Sequence, residues 1–254
     1  MHLLGTLGAS SALLVAAPHA AASTTTLNDV QMTSASALIG LSAQEDDSFG
    51  SGMYLRLGVG ANMAQDTDID DVFVTGASIT STSISYNTGI DLSVGLGIPL
   101  MDKLSLEVMT GLAYNSIDTI SGNFQVGVTP GTFTDASGEL VQVPLMANVR
   151  YDFELGDSMT LGVFGGAGFQ YSELSVNSIT STTAFGSAVD DFGNGDDFTF
   201  RYQLGVNMAW DLSSSSSLGF YIRYSNTTGA DFGGDVSTGG LGNGSFGASF
   251  SFTF

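Results

Sequence analysis

The side chains that most often carry catalysis are few in this chain and poorly placed for it. There is no Cys, and the two histidines, His2 and His19, lie in an amino-terminal stretch that reads as removed on export. Without imidazole, the remaining chain has no Ser-His or Asp-His pair and no imidazole metal ligand. Without Cys, it has no disulfide, no thiolate ligand, no thiol nucleophile and no site for a bacterial lipid anchor. The Ser hydroxyls, including the uninterrupted run Ser213 to Ser217, lack a base that would activate one of them. No Gly-rich stretch runs into the Lys-Ser or Lys-Thr of a phosphate loop.

Two acidic strings remain, Asp66, Asp68, Asp70, Asp71 and Asp190, Asp191, Asp196, Asp197. Carboxylates at such spacing can hold Ca²⁺ or Mg²⁺. Neither string has the fixed Gly and distal bidentate Glu of a dedicated calcium loop, so both read as solvated loop faces. No metal site, no cofactor and no enzymatic role is expected.

The rest of the composition points toward a membrane. Five Lys plus Arg stand against 25 Asp plus Glu, a formal net charge of −20, which leaves almost nothing to neutralise a row of phosphates and excludes a nucleic-acid partner. Only 12% of the 254 residues are charged, well under the roughly 25–35% typical of a water-soluble surface. Mean hydropathy is positive, +0.25. No stretch reaches the roughly 20 apolar residues that a spanning helix requires. A closed barrel is the other way across, because its strands need apolar residues only at alternate positions.

Residues 1–22 have the layout of a secretory signal peptide. A modestly apolar run from Leu3 to Ala17 leads to small residues, and cleavage after Ala22 satisfies the A-x-A pattern through Ala20 and Ala22. Residues 23–52 form a polar lead-in, with an acidic cluster at Glu45, Asp46 and Asp47. From Met53 to Phe254 the period is two.

Eight alternating segments follow, 53–61, 86–98, 104–114, 141–153, 159–171, 198–210, 218–224 and 246–254. The sixth is the clearest: Phe198, Phe200, Tyr202, Leu204, Val206, Met208 and Trp210 alternate with Thr199, Arg201, Gln203, Gly205, Asn207 and Ala209. The second is read as starting at an outward Tyr86, and Pro144 in the fourth as marking a bulge. Connections alternate between short (99–103, 154–158, 211–217) and long (63–85, 116–140, 172–197, 227–244). That rhythm puts all turns at one rim and all loops at the other. The fold expected is all-β: an eight-stranded antiparallel up-and-down transmembrane β-barrel with short periplasmic turns and long surface loops. Aromatics clustered at segment ends suit both headgroup levels.

Charges sort by face. All four arginines, Arg56, Arg150, Arg201 and Arg223, fall on the polar face of their segments, with Asp91, Glu107, Asp152 and Asp211 on that face or at its end. Fourteen of the other acids lie in the long loops. An interior filled by side chains must pair such charges. The eight are expected to form a lumen charge network with Gln142, Asn148, Gln170, Gln203 and Asn207, with inward glycines leaving room for long side chains. That network is read as a plug, with a narrow polar path for small solutes as the alternative.

This layout, together with the terminal string Phe246-Gly247-Ala248-Ser249-Phe250-Ser251-Phe252-Thr253-Phe254, resembles the small outer-membrane β-barrel proteins of Gram-negative bacteria, the opacity-like and OmpA-like transmembrane domain group. The resemblance implies a bacterial cell outer-membrane protein with a structural, adhesive or surface-antigen role. It also implies that Phe250, Phe252 and Phe254 are read by the barrel-assembly machinery. The chain stops at Phe254, so the peptidoglycan-binding domain of full-length OmpA-type proteins is not expected. The other partners expected are outer-membrane lipid and lipopolysaccharide, the latter through loose divalent bridging to loop acids. A monomer is expected, since a closed ring has no free edge. An OmpW-type solute channel is the alternative, and an outer-membrane lipid-modifying enzyme a remoter one.

Overall fold

β-Branched and aromatic residues at every second position favour extended backbone, and polar residues between them leave one face of each strand unsuited to lipid. The computed structural model of the protein describes residues 52–254 apart from 70–71, 75–76, 127–128, 184–185, 191–192 and 233–236. The expected signal peptide, most of the expected lead-in, Asp70, Asp71 and Asp191 therefore lie outside the described residues.

Among the described residues, fourteen strands form one antiparallel sheet. They are β1 (Tyr54–Ala64), β2 (Thr67–Ile69), β3 (Val72–Val74), β4 (Ala77–Tyr86), β5 (Gly89–Met101), β6 (Leu104–Val126), β7 (Thr129–Glu154), β8 (Met159–Thr183), β9 (Gly186–Asp190), β10 (Gly193–Ser213), β11 (Ser216–Thr227), β12 (Gly229–Asp231), β13 (Ser237–Gly240) and β14 (Asn243–Thr253). Among the described residues no helix is long and apolar enough to cross a membrane.

Eight of the strands close a ring. β1 pairs β5, then β6, β7, β8, β10, β11 and β14 follow in turn, and β14 returns to β1. A walk across the rungs from Ala64 of β1 through Asn243, Ser225, Gln203, Gly166, Asn148, Glu107 and Gly97 comes back to β1 at Tyr54, ten residues from its start. A stagger of ten over eight strands tilts them within the roughly 35–45° usual for barrels and leaves an interior that side chains fill. The outward positions are apolar and exposed, from Leu57 and Val59 through Leu145, Phe169 and Leu204 to Ile222 and Phe246. Such a band is stable against lipid tails and not against water.

Three sequence readings need correction. The loops 116–140 and 172–197 are largely strand: β6 to β7 and β8 to β10 continue past the apolar band as hairpins, and β2, β4, β12 and β13 join them in a turret at the loop end. Many of their inward residues are apolar, with Thr67, Thr82, Ser175 and Thr238 buried beside them. Ile84, Ile117, Ile120, Leu140, Leu174, Val176, Phe232 and Leu241 form a buried core there, so β6, β7 and β8 turn apolar residues inward above the band.

Second, Tyr86 ends β4 rather than opening a lipid-facing strand, and it packs against that core. Third, Pro144 causes no bulge. β6 and β7 keep one register on both sides of it (Thr110 opposite Leu145, Ala113 opposite Gln142), and β7 stays in step with β8. Pro144 cannot donate to β6, and the Thr110 hydroxyl instead donates to its carbonyl at 2.8 Å.

Candidate functional site: the filled lumen

The inward face carries polar side chains of every kind, and burial decides what each must do. At the turn end, Arg56 on β1 reaches Glu107 on β6 at 2.6 Å. Tyr54 donates its phenol to the same carboxylate at 3.1 Å. The Arg56 guanidinium also lies 4.9 Å from the Tyr54 ring centroid, adding a cation–π contact. Gly97 makes this possible, since a Cβ there would sit 2.0 Å from the Tyr54 ring.

Nearby on β7, Arg150 pairs with Asp152, two residues along the same face, at 2.7 Å. It also donates to Asn207. A Cβ on Gly162 would lie 2.2 Å from the Arg150 guanidinium, so the long side chain is accommodated by a missing one. Further in, Arg223 on β11 pairs with Asp91 on β5, both side chains 4% exposed. Asp91 also accepts from Tyr221 at 2.8 Å and from Ser245. A cavity of about 30 Å³ lies among Arg56, Glu107, Met109, Phe164, Asn207 and Arg223, room for one or two waters.

Toward the loop end the partners become neutral. Gln203 donates to Asn148 at 2.7 Å. Arg201, 2% exposed, donates to Gln170 Oε1 and to Ser225 Oγ, and Gln170 in turn donates to Ser172. Asn62, Asn115, Asn243 and Ser245 then close the polar section with bonds among their side chains. Immediately beyond lies the apolar core of the turret.

Of the eight residues expected to form a charge network, six make three ion pairs: Arg56–Glu107, Arg150–Asp152 and Arg223–Asp91. Arg201 is buried among them, with no carboxylate of the described residues in ion-pair distance. Asp211 does not join. It sits one rung before the end of β10, at a register shift, exposed at the turn rim, where its backbone N–H donates to the Ser158 carbonyl. The expected neutral interior therefore carries one more guanidinium than carboxylate.

The alternation alone does not single out Tyr54, Asn62, Asn115, Phe164 and Tyr221 as network members, although they follow its inward face, and Asn243 falls in a stretch that reads as loop. Of the five amides expected in the network, only Gln142 finds no protein partner for either amide atom. Among the described residues no three His, Asp or Glu side chains gather as a metal site. Phe250, Phe252 and Phe254 line up outward on and just past β14, exposed at the turn rim.

An autotransporter β-domain family model matches residues 12–224, and no curated protein matches the chain. Among solved structures, the chain is similar to Neisserial surface protein A, with 13% identity, 80% of this chain and 97% of that one covered, and a TM-score of 0.46. The outer membrane protein OprG from Pseudomonas aeruginosa gives 14%, 81% and 98%, and 0.42. The outer membrane protease OmpT from Escherichia coli gives 11%, 82% and 98%, and 0.47.

Proposed function

The chain belongs to the autotransporter β-domain family and is a bacterial outer-membrane β-barrel protein; from that premise we propose that it is a closed structural and surface-display barrel, through which neither solute nor polypeptide passes. The observation that carries this reading is the double obstruction of the lumen. Three inward ion pairs, Arg223–Asp91 fully buried and the other two partly so, fill the membrane section with their amide and phenol partners, and an apolar core stands over them at the loop end. A chain threaded through this ring would have to displace both.

What the protein presents is the turret. Its outer face carries Asp66, Asp68, Asp118, Asp196 and Asp231, all exposed. The positive side chains are elsewhere, the arginines in the lumen and Lys103 at the opposite rim beside Glu154. An acidic display surface without a general base fits adhesion, antigenicity or divalent-bridged contact with lipopolysaccharide better than catalysis. Insertion proceeds through the barrel-assembly machinery reading Phe250, Phe252 and Phe254, and the ring works as a monomer.

The test is solute flux. Purified protein refolded into liposomes gives no swelling above protein-free vesicles with small sugars and amino acids, and no unitary conductance in planar bilayers. Reproducible, size-dependent swelling overturns this reading. It would favour a narrow channel through the water-sized cavity beside Arg56 and Arg223.

A further inference from the structure

Four guanidinium groups point into the lumen and three carboxylates answer them, with Asp211 turned out to solvent. The imbalance is localised. Arg201 is 2% exposed, its Nη atoms bond only to the neutral Gln170 and Ser225, and its Nε has no partner. Arg223 repels it and Asp91 attracts it from across the lumen, but Asp91 is not in ion-pair contact with Arg201 and is already held by Arg223, Tyr221 and Ser245.

Other polar atoms at this end are also orphaned. The Thr199 hydroxyl, two residues back on the inward face of the same strand, has no partner, and neither does the amide of Gln142 facing in from β7. The register ties these residues together: Thr199 lies opposite Gln170, and Gln142 opposite Ser172, which is bonded to Gln170. All are buried.

Water satisfies hydrogen-bond donors but does not compensate a buried charge, and an ion buried without a counter-charge is strongly disfavoured. Every other guanidinium in this lumen has its carboxylate. We propose that the loop end of the lumen binds one small monovalent inorganic anion of the halide class, held by Arg201 with Thr199 and Gln142 as neutral donors. The anion is the missing fourth counter-charge. The turret core above and the ion pairs below limit the site to a small ion and make exchange slow, so it is taken up as the barrel closes. The inference does not depend on whether solute passes.

The experiment refolds the protein into detergent micelles in sodium chloride, bromide or gluconate at matched ionic strength and follows the thermal unfolding midpoint. The wild-type midpoint rises with the logarithm of halide concentration and stays flat in gluconate, which screens the turret acids equally but is too large to enter. Gln170→Glu places a carboxylate on the atom that already accepts from Arg201, and Ser172 can reverse its bond to suit. This variant refolds in gluconate and loses the halide dependence. Arg201→Gln loses it too. Crystals of wild type refolded in bromide give one anomalous peak beside Arg201, absent from Gln170→Glu refolded the same way. A wild-type midpoint that moves equally in chloride and gluconate overturns the proposal, as does a Gln170→Glu barrel that keeps its halide response or fails to refold.

Discussion

Asp91 is the residue on which most of the lumen converges, since it accepts from Arg223, Tyr221 and Ser245 at once. Asp91→Ala leaves Arg223 buried without its partner, next to Arg201, which has none. Removing one member of a buried ion pair costs about 3–5 kcal/mol, and urea unfolding of the refolded protein in micelles will report a loss of that order. Gly162→Val acts on Arg150 from the other side: a side chain there meets the guanidinium and the Asp152 carboxylate, so the ion pair has to move. The variant is expected to fold less well than Gly162→Ala, and Gly162→Ala less well than wild type. Which residues point inward was legible in the alternation, because one strand suffices to define its two faces. Which residues meet was not. Arg223 finds Asp91 across β1 and β14, and Asp211 misses every arginine, because partners across a barrel are set by the stagger of all eight strands. No single segment encodes that quantity.

At the scale of the strand, the informative feature is the reversal of pattern at the loop rim. On β6, Leu112 and Tyr114 face out and Asn115 faces in; above them Ile117 faces in and Asp118 out. On β8, Phe169 and Tyr171 face out, then Leu174 turns in. A reading that follows one apolar face sees its alternation end at this point and assigns a loop, although the strand continues with water where the lipid was. Leu174→Asp puts a charge into the turret core and not into the membrane section. Limited proteolysis will then cut the loop end while the spanning strands keep their β-sheet circular dichroism. Burial against the same core pushes the Tyr86 phenol up to about 12, with nearby Asp66 adding to the shift and a hydrogen bond with Thr67 opposing it. In the unfolded chain the phenol titrates near 10. A raised value means that the folded state holds the proton more tightly, so the turret keeps its full stability below about pH 10 and loses part of it as pH climbs through about 12. Turret protease sensitivity will rise over that window in wild type, and less in Tyr86→Phe.

For the molecule as a whole, closure ties the two chain ends of the barrel together. β14 pairs β1 over eleven consecutive rungs, from Tyr54–Thr253 to Ala64–Asn243. A ring that is hydrogen-bonded all the way round has no edge from which to fray, so a folded and a fully unfolded form are expected with little between them. On a mild detergent gel, the unboiled protein therefore migrates as a band separate from the boiled one. Substitution depth tests the placement of that ring in lipid. Ile222 is 65% exposed in the middle of the outward band and Leu212 is 61% exposed next to the Ser-rich turn, so in water the two positions would tolerate a charge about equally. In a bilayer they differ. Arginine at the midplane costs about 2–4 kcal/mol and near an interface about 0–1 kcal/mol. Ile222→Arg should lower the unfolding free energy of the vesicle-embedded protein by the larger amount and Leu212→Arg by the smaller. Equal losses would mean that the apolar band is not what lipid surrounds.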